Sequence, residues 1–168
     1  EVFAGALFRA SLRTVRDLGG ETAFPFYDGG GRACFLSVGG RLVLPDGEMD
    51  LGRAVSCAPV VREGILAAGT LSGAVVFCDM DGRKVLGEID PRTLLSVSAM
   101  ASDGEHVFAA SMDETLRAFA WDGRPLWQTR LSDINYAYSV YSSLPLVSGG
   151  AVVLTAFPDR TEALAAAD

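Results

Sequence analysis

Residues 107–127 read Val107-Phe108-Ala109-Ala110-Ser111-Met112-Asp113-Glu114-Thr115-Leu116-Arg117-Ala118-Phe119-Ala120-Trp121-Asp122-Gly123-Arg124-Pro125-Leu126-Trp127, and their order decides the fold. Two apolar runs flank a polar tip at Asp113-Glu114, and the second runs into an Asp-Gly pair. Asp-Gly between apolar runs is a strong hairpin signal, because the tight turn needs left-handed backbone that Asp tolerates and Gly adopts freely. The window lacks the 3.6-residue apolar spacing of a helix. A further strand follows, with Trp127 four positions past Gly123.

The same order recurs along the chain. Pro25, Pro59, Ala99 and Pro145 each precede a glycine by five positions, and those glycines (Gly30, Gly64, Gly104 and Gly150) lie 34, 40 and 46 residues apart. A second strand follows each of them, over 33–38, 65–70, 107–112 and 151–156. Polar hairpins come next, then third strands that run into Asp46-Gly47, Asp81-Gly82 and Asp122-Gly123. The fourth strands carry Leu51, Leu86 and Trp127 four positions past those glycines. Four short antiparallel strands per repeat of about 40 residues is the pattern of propeller blades. The expected fold is all-β, a β-propeller of four-stranded antiparallel blades in an incomplete arc of about four blades. Blades fall at about 24–57, 58–97 and 98–143, with partial blades at 1–23 and 144–168.

Small residues in the second strands (Ala67, Ala68, Gly69, Ala109, Ala110 and Ser111) suit the narrow inner part of a blade. Alternation along the third strand puts Leu116, Ala118 and Ala120 toward one neighbouring blade and Phe119 and Trp121 toward the other. The chain begins with Glu1 and stops one residue before its next expected turn glycine, which reads as a piece of a longer protein. Such an arc alone should aggregate through unpaired strand edges.

Charge and cysteine usage narrow the function. With 21 acidic against 14 basic residues, a net charge of −7 and no Lys/Arg block, the chain offers no footprint for a nucleic-acid backbone. No run approaches the ~20 apolar residues that span a bilayer. Cys34, Cys57 and Cys78 are widely spaced, without a CxxC pair, and read as buried free thiols. His106 is the only histidine, which excludes a multi-histidine metal site and leaves no arrangement for nucleophilic catalysis without it. No catalytic residue, metal site or cofactor is expected.

The stretches from Ser56 to Gly82 and from His106 to Leu131 resemble repeats of the pyrroloquinoline-quinone-type (PQQ-like) propellers. That family holds quinoprotein dehydrogenases and non-catalytic relatives such as the outer-membrane assembly lipoprotein propellers. Its blades typically carry Ala-x-Asp-x-x-Thr-Gly-x-x-x-Trp, a docking signature whose Trp packs between blades. Ala118, Gly123 and Trp127 match it with a loop one residue shorter, Ala120 stands where Asp is expected, and Leu51 and Leu86 replace the Trp elsewhere. The resemblance implies a structural docking role for Ala118, Gly123, Trp121 and Trp127, and export to the periplasm or outside of a bacterial cell. The family's quinone site uses an axial tryptophan floor, adjacent cysteines and a calcium-ligating Glu/Asn/Asp set, none of which matches a position here.

On one face of a propeller open the hairpins between second and third strands and the connections between blades. Here that face would carry 71–74, 112–115, 157–161 and the connection 131–141, with Tyr136, Tyr138 and Tyr141 clustered in the last. The tyrosines read either as an aromatic, hydrogen-bonding platform for a peptide or glycan or as strand residues sealing a blade. Asp113 and Glu114 form an acidic tip on the same face, open to a basic partner or calcium, or simply solvated. Asp46, Asp81 and Asp122 read as turn residues, each preceding a glycine. The expected function is a non-catalytic propeller, a protein-interaction or ligand-recognition module of a larger protein, with a protein or surface polymer as partner. The alternative is a fragment of a PQQ-dependent oxidoreductase or other propeller enzyme whose active site lies on absent blades.

Overall fold

The computed structural model describes residues 22–130, 146–148, 151–156 and 160–165, and every regular element in them is a strand. β1 (Ala23–Tyr27), β2 (Ala33–Ser37), β3 (Arg41–Leu44) and β4 (Gly47–Asp50) pair in that order as the first antiparallel sheet. β5 (Val60–Arg62), β6 (Ile65–Gly69), β7 (Val75–Asp79) and β8 (Lys84–Ile89) make the second. β9 (Val97–Ser102), β10 (His106–Ser111), β11 (Thr115–Ala120) and β12 (Pro125–Arg130) make the third. β13 (Leu146–Ser148), β14 (Ala151–Ala156) and β15 (Arg160–Ala165) make a three-stranded fourth. Strands adjacent in sequence are adjacent in space throughout, so each sheet is an up-and-down meander, and the sheets follow one another as blades of a propeller arc.

The strands are continuously apolar because blades are covered on both faces. Along β7, Val75 and Phe77 face the third blade, while Cys78 and the following Met80 face the first. Along β11, Leu116 and Ala118 join Phe108, Ala110 and half-buried Trp127 against the fourth blade's Val147, and Phe119 reaches back to the second blade. Fully burying one such side chain contributes about 1.5–3 kcal/mol, so the blade-to-blade cores hold the arc together. Small residues appear where side chains of the neighbouring blade crowd the strand. A Cβ on Gly69 would stand 2.5 Å from Val97 Cγ1, which is why the second blade's inner strand ends in glycine.

Pairing register corrects one reading of the sequence. Ala118 pairs with Trp127 across β11 and β12, and the matching pair across β7 and β8 is Phe77 with Gly87, not Leu86. The turn after β7 spans four residues between Asp79 and Lys84, whereas the turn after β11 closes by a bond from Ala120 N to Arg124 O. Counting from the glycine therefore lands one residue early. Leu86 is the extra residue of a β-bulge and is 46% exposed. The two blades fill equivalent space in opposite ways, with a large residue on the third strand and none on the fourth (Phe77, Gly87) or the reverse (Ala118, Trp127). Leu51, just past β4, is buried in the core between the first and second blades.

Cys34, Cys57 and Cys78 are free and buried in these cores. Burial pushes the Cys57 thiol up to about 11 and the Cys78 thiol up to about 12. Because the reactive species is the thiolate, the native protein should resist a disulfide-exchange reagent at about pH 8, and all three thiols should react in urea. Reaction of the native state at the unfolded rate would contradict the packing. The same shifts make alkali destabilising. Unfolded thiols ionise near about 8.5, so this contribution is complete below that pH and is lost as pH rises through the folded values.

Candidate functional site

One face of the arc is built by a repeated backbone device. Val55 N donates to Val38 O at the tip of the β2–β3 hairpin, and Leu71 N in the next hairpin donates to Ala54 O. One blade on, Val97 N donates to Thr70 O and Met112 N donates to Ser96 O. The two described connections, from the first blade to the second and from the second to the third, are thus each clamped between the hairpin of the preceding blade and that of the following one. Within the second hairpin, buried Thr70 holds the tip by donating from Oγ1 to Ala74 O at 2.9 Å.

The clamps display apolar side chains to solvent. Leu71 and Met112 sit on the tips of successive hairpins, and Leu94 and Leu95 on the connection between them, at 52, 37, 79 and 44% exposure. Gly73, two residues past Leu71, lies against the Leu95 carbonyl, and Ser96 beside Leu95 donates from Oγ to the Met112 sulfur at 3.0 Å, so the two hairpin tips and the connection that carry these side chains lie side by side. Leu94 is held at φ +57° and Arg92 at the same value, with Asp90 Oδ1 accepting from Arg92 N to shape the turn. A left-handed Leu costs about 1–2 kcal/mol, and here it turns an apolar side chain into water. Strain of this kind points toward function rather than stability.

The sequence-based candidates on this face fall as follows. The Asp113 carboxylate is turned inward to Thr115 and to the buried Arg117, which also reaches Ser111 Oγ. Burial works to raise its pKa, but hydrogen bonds from Arg117 and Thr115 outweigh it and hold the carboxyl below the usual range. Glu114, at φ +64°, accepts from Arg130 at 3.0 Å. Both carboxylates are therefore occupied in shaping the hairpin that carries Met112. Tyr136, Tyr138 and Tyr141 lie outside the described residues. Leu94 and Leu95 were not among the sequence-based candidates. Their signal was an apolar pair within a connection that begins with Asp90-Pro91-Arg92.

Residues singled out for docking sit at blade contacts. Gly123, at φ +85°, faces Phe77 and Ile89 of the second blade closely enough that a Cβ would meet Ile89 Cδ1 at 3.2 Å. Trp121 packs on the core shared with the second blade, and Trp127 lies 6.0 Å from Phe108 in the core on the blade's other face, which Ala118 also joins. With the tryptophans in separate cores and the three thiols buried on separate segments, the described residues do not fit a quinone site.

On the opposite face a cleft of about 290 Å³ between the first and second blades is lined by Asp28, Arg32, Asp46, Glu63, Met80 and Asp81. The Arg32 backbone N–H chiefly, with its side chain and the Gly30 N–H, holds the Asp28 carboxyl low against the opposing effect of burial. Arg83 donates to Asp46 O at 2.6 Å across the same joint. Of the turn aspartates, Asp122 accepts from Arg124 N, but at the β7–β8 turn it is Asp79 that accepts from Gly82 N, while Asp46 and Asp81 line the cleft. His106 opens β10 and lies 3.0 Å from Asp103 Oδ2, an exposed pair at a turn.

No protein-family model matches the chain, and no curated protein sequence matches it. Solved structures do. BamB from Moraxella catarrhalis superposes with a TM-score of 0.65 at 15% identity, over 83% of this chain and 48% of its own. The quinohemoprotein alcohol dehydrogenase ADHIIG from Pseudomonas putida HK5 gives 0.56 at 20% identity, over 70% of this chain and 20% of its own. The computationally designed Ika4 protein gives 0.67 at 14% identity, over 91% of this chain and 98% of its own. The chain thus spans about half the length of BamB and a fifth of the dehydrogenase. At these identities the likeness is one of fold, and that fold is a β-propeller, here as an arc of successive antiparallel blades.

Proposed function

We propose that this chain is a non-catalytic propeller module that binds a protein partner through the face formed by Leu71, Leu94, Leu95 and Met112. The observation that carries the reading is Leu94. A leucine 79% exposed, at a left-handed φ that favours Gly or Asn, is retained at a cost to stability. Apolar side chains displayed on hairpin tips and on the connection clamped between them are what a partner's apolar side chains require, and such anchors carry most of the energy of an interface.

Leu94→Asn separates the two roles of this residue, since Asn accepts left-handed backbone without the apolar side chain. In the full-length parent protein, with a photo-crosslinking residue placed at Leu71, the reading expects a protein crosslink that Leu94→Asn weakens about thirtyfold, the effect of losing a hot spot of about 2 kcal/mol. The melting temperature should hold or rise. An undiminished crosslink in the variant would overturn the reading, and an alcohol-oxidising activity of the parent indifferent to Leu94 would support the enzymatic alternative instead.

A further inference from the structure

We infer that Met112 is a reversible oxidation site whose conversion to the sulfoxide turns this interaction face from apolar to polar. The inference rests on the reading of that face as a docking surface and adds a means of regulating it. The four methionines of the chain stand in very different surroundings. Met80 and Met100 are 4% and 2% exposed within blade-to-blade cores, and Met49 is half-buried against the first of these cores. Met112 alone of the four is an exposed residue, at the tip of the β10–β11 hairpin. Oxidation of thioether sulfur follows its accessibility, so an oxidant in solution meets this sulfur first.

The local geometry does more than expose the sulfur. Ser96 grips Met112 twice, its carbonyl accepting from Met112 N at 2.9 Å and its hydroxyl donating to the sulfur at 3.0 Å. A thioether is a weak acceptor, whereas a sulfoxide oxygen is a strong one. The hydroxyl already aimed at the sulfur is therefore a ready partner for the oxidised form, which can be held on the face without unfolding the hairpin. Beneath it, the ion pair of Arg117 with Asp113 fixes the same hairpin from inside, so the backbone carrying Met112 stays in place while its side chain changes polarity.

The chemistry balances with a hydroperoxide as oxidant. The sulfur lone pair attacks the peroxide, the O–O bond breaks, one oxygen is transferred to sulfur, and the other leaves as water or alcohol. Sulfur loses two electrons and the peroxide gains them. A dithiol-dependent methionine sulfoxide reductase reverses the step, releasing water as the dithiol becomes a disulfide. The oxidised side chain places a polar S=O group beside Leu71, Leu94 and Leu95, where a partner's apolar side chains would strip it of water and leave the sulfoxide oxygen with the Ser96 hydroxyl alone.

The test uses hydrogen peroxide, peptide mass mapping and retention of the intact protein on a phenyl column. Met112 should gain one oxygen several-fold faster than Met80 and Met100. Retention should fall in step with that oxidation, and sulfoxide reductases A and B with dithiothreitol should restore it. Met112→Leu should keep its retention through the same peroxide treatment. Oxidation of Met112 no faster than that of the buried methionines, or unchanged retention once Met112 is fully oxidised, would overturn the inference. Neither result depends on the partner, so failure here is distinct from failure of the docking reading, which Leu94→Asn tests.

Discussion

Phe77→Ala should destabilise the protein by about 3–5 kcal/mol, the range for removing a fully buried aromatic ring. Phe77 has no exposure, packs edge-on to Phe119 with ring centroids 6.1 Å apart, and bridges the second and third blades. The cost should sit at the high end because the neighbouring fourth-strand position is Gly87, which has no side chain to relax into the space. Urea unfolding followed by intrinsic fluorescence measures it. The register also supplies a rescue. A Cβ on Gly87 would meet nothing within 4 Å, so Phe77→Ala combined with Gly87→Trp rebuilds in the second blade the small-on-third, Trp-on-fourth pairing that Ala118 and Trp127 make in the next. The double variant should recover about half of the loss, a coupling of the size found between residues in direct contact. Simple additivity of the two changes would show that the blades do not use this shared space.

That interchange marks how far the sequence alone could be read. Strand order, hairpins and blade type were legible because Asp-Gly turns, glycines and apolar runs are local signals, and β6, β10 and β14 fall within a residue of the runs that follow Gly64, Gly104 and Gly150. The Phe77 and Trp127 equivalence was not, because a turn longer by one residue and a bulge at Leu86 shift the pairing without leaving a mark in the spacing of glycines. The apolar face was half legible. Leu71 and Met112 could be placed at hairpin tips by counting strands, but which side chains share a surface depends on the clamps from Thr70 to Val97 and from Ser96 to Met112. Asp113 and Glu114 looked available for a ligand because their acidity is visible in sequence while Arg117 and Arg130, which occupy them, come from strands whose direction only the fold supplies.

Gly73→Ala should disturb stability and the apolar face together, and it links the two most directly. Gly73 sits at φ +90°, and a Cβ there would fall 2.6 Å from the Leu95 carbonyl oxygen and 3.0 Å from Thr93 Oγ1. The backbone conformation alone costs an L-residue about 1–2 kcal/mol. The close contact is with main chain, so it cannot be relieved by turning a side chain; the hairpin must part from the connection that carries Leu94 and Leu95. Separation strains the bond from Val97 N to Thr70 O, which anchors that connection to the same hairpin. The expected result is a fall in melting temperature accompanied by loss of phenyl-column retention, even though Leu71, Leu94, Leu95 and Met112 are all still present. Leu94→Asn, by contrast, should lower retention with no fall in melting temperature. If Gly73→Ala lowered stability but left retention unchanged, the apolar residues would be acting singly, and the clamped arrangement would not be what makes them one surface.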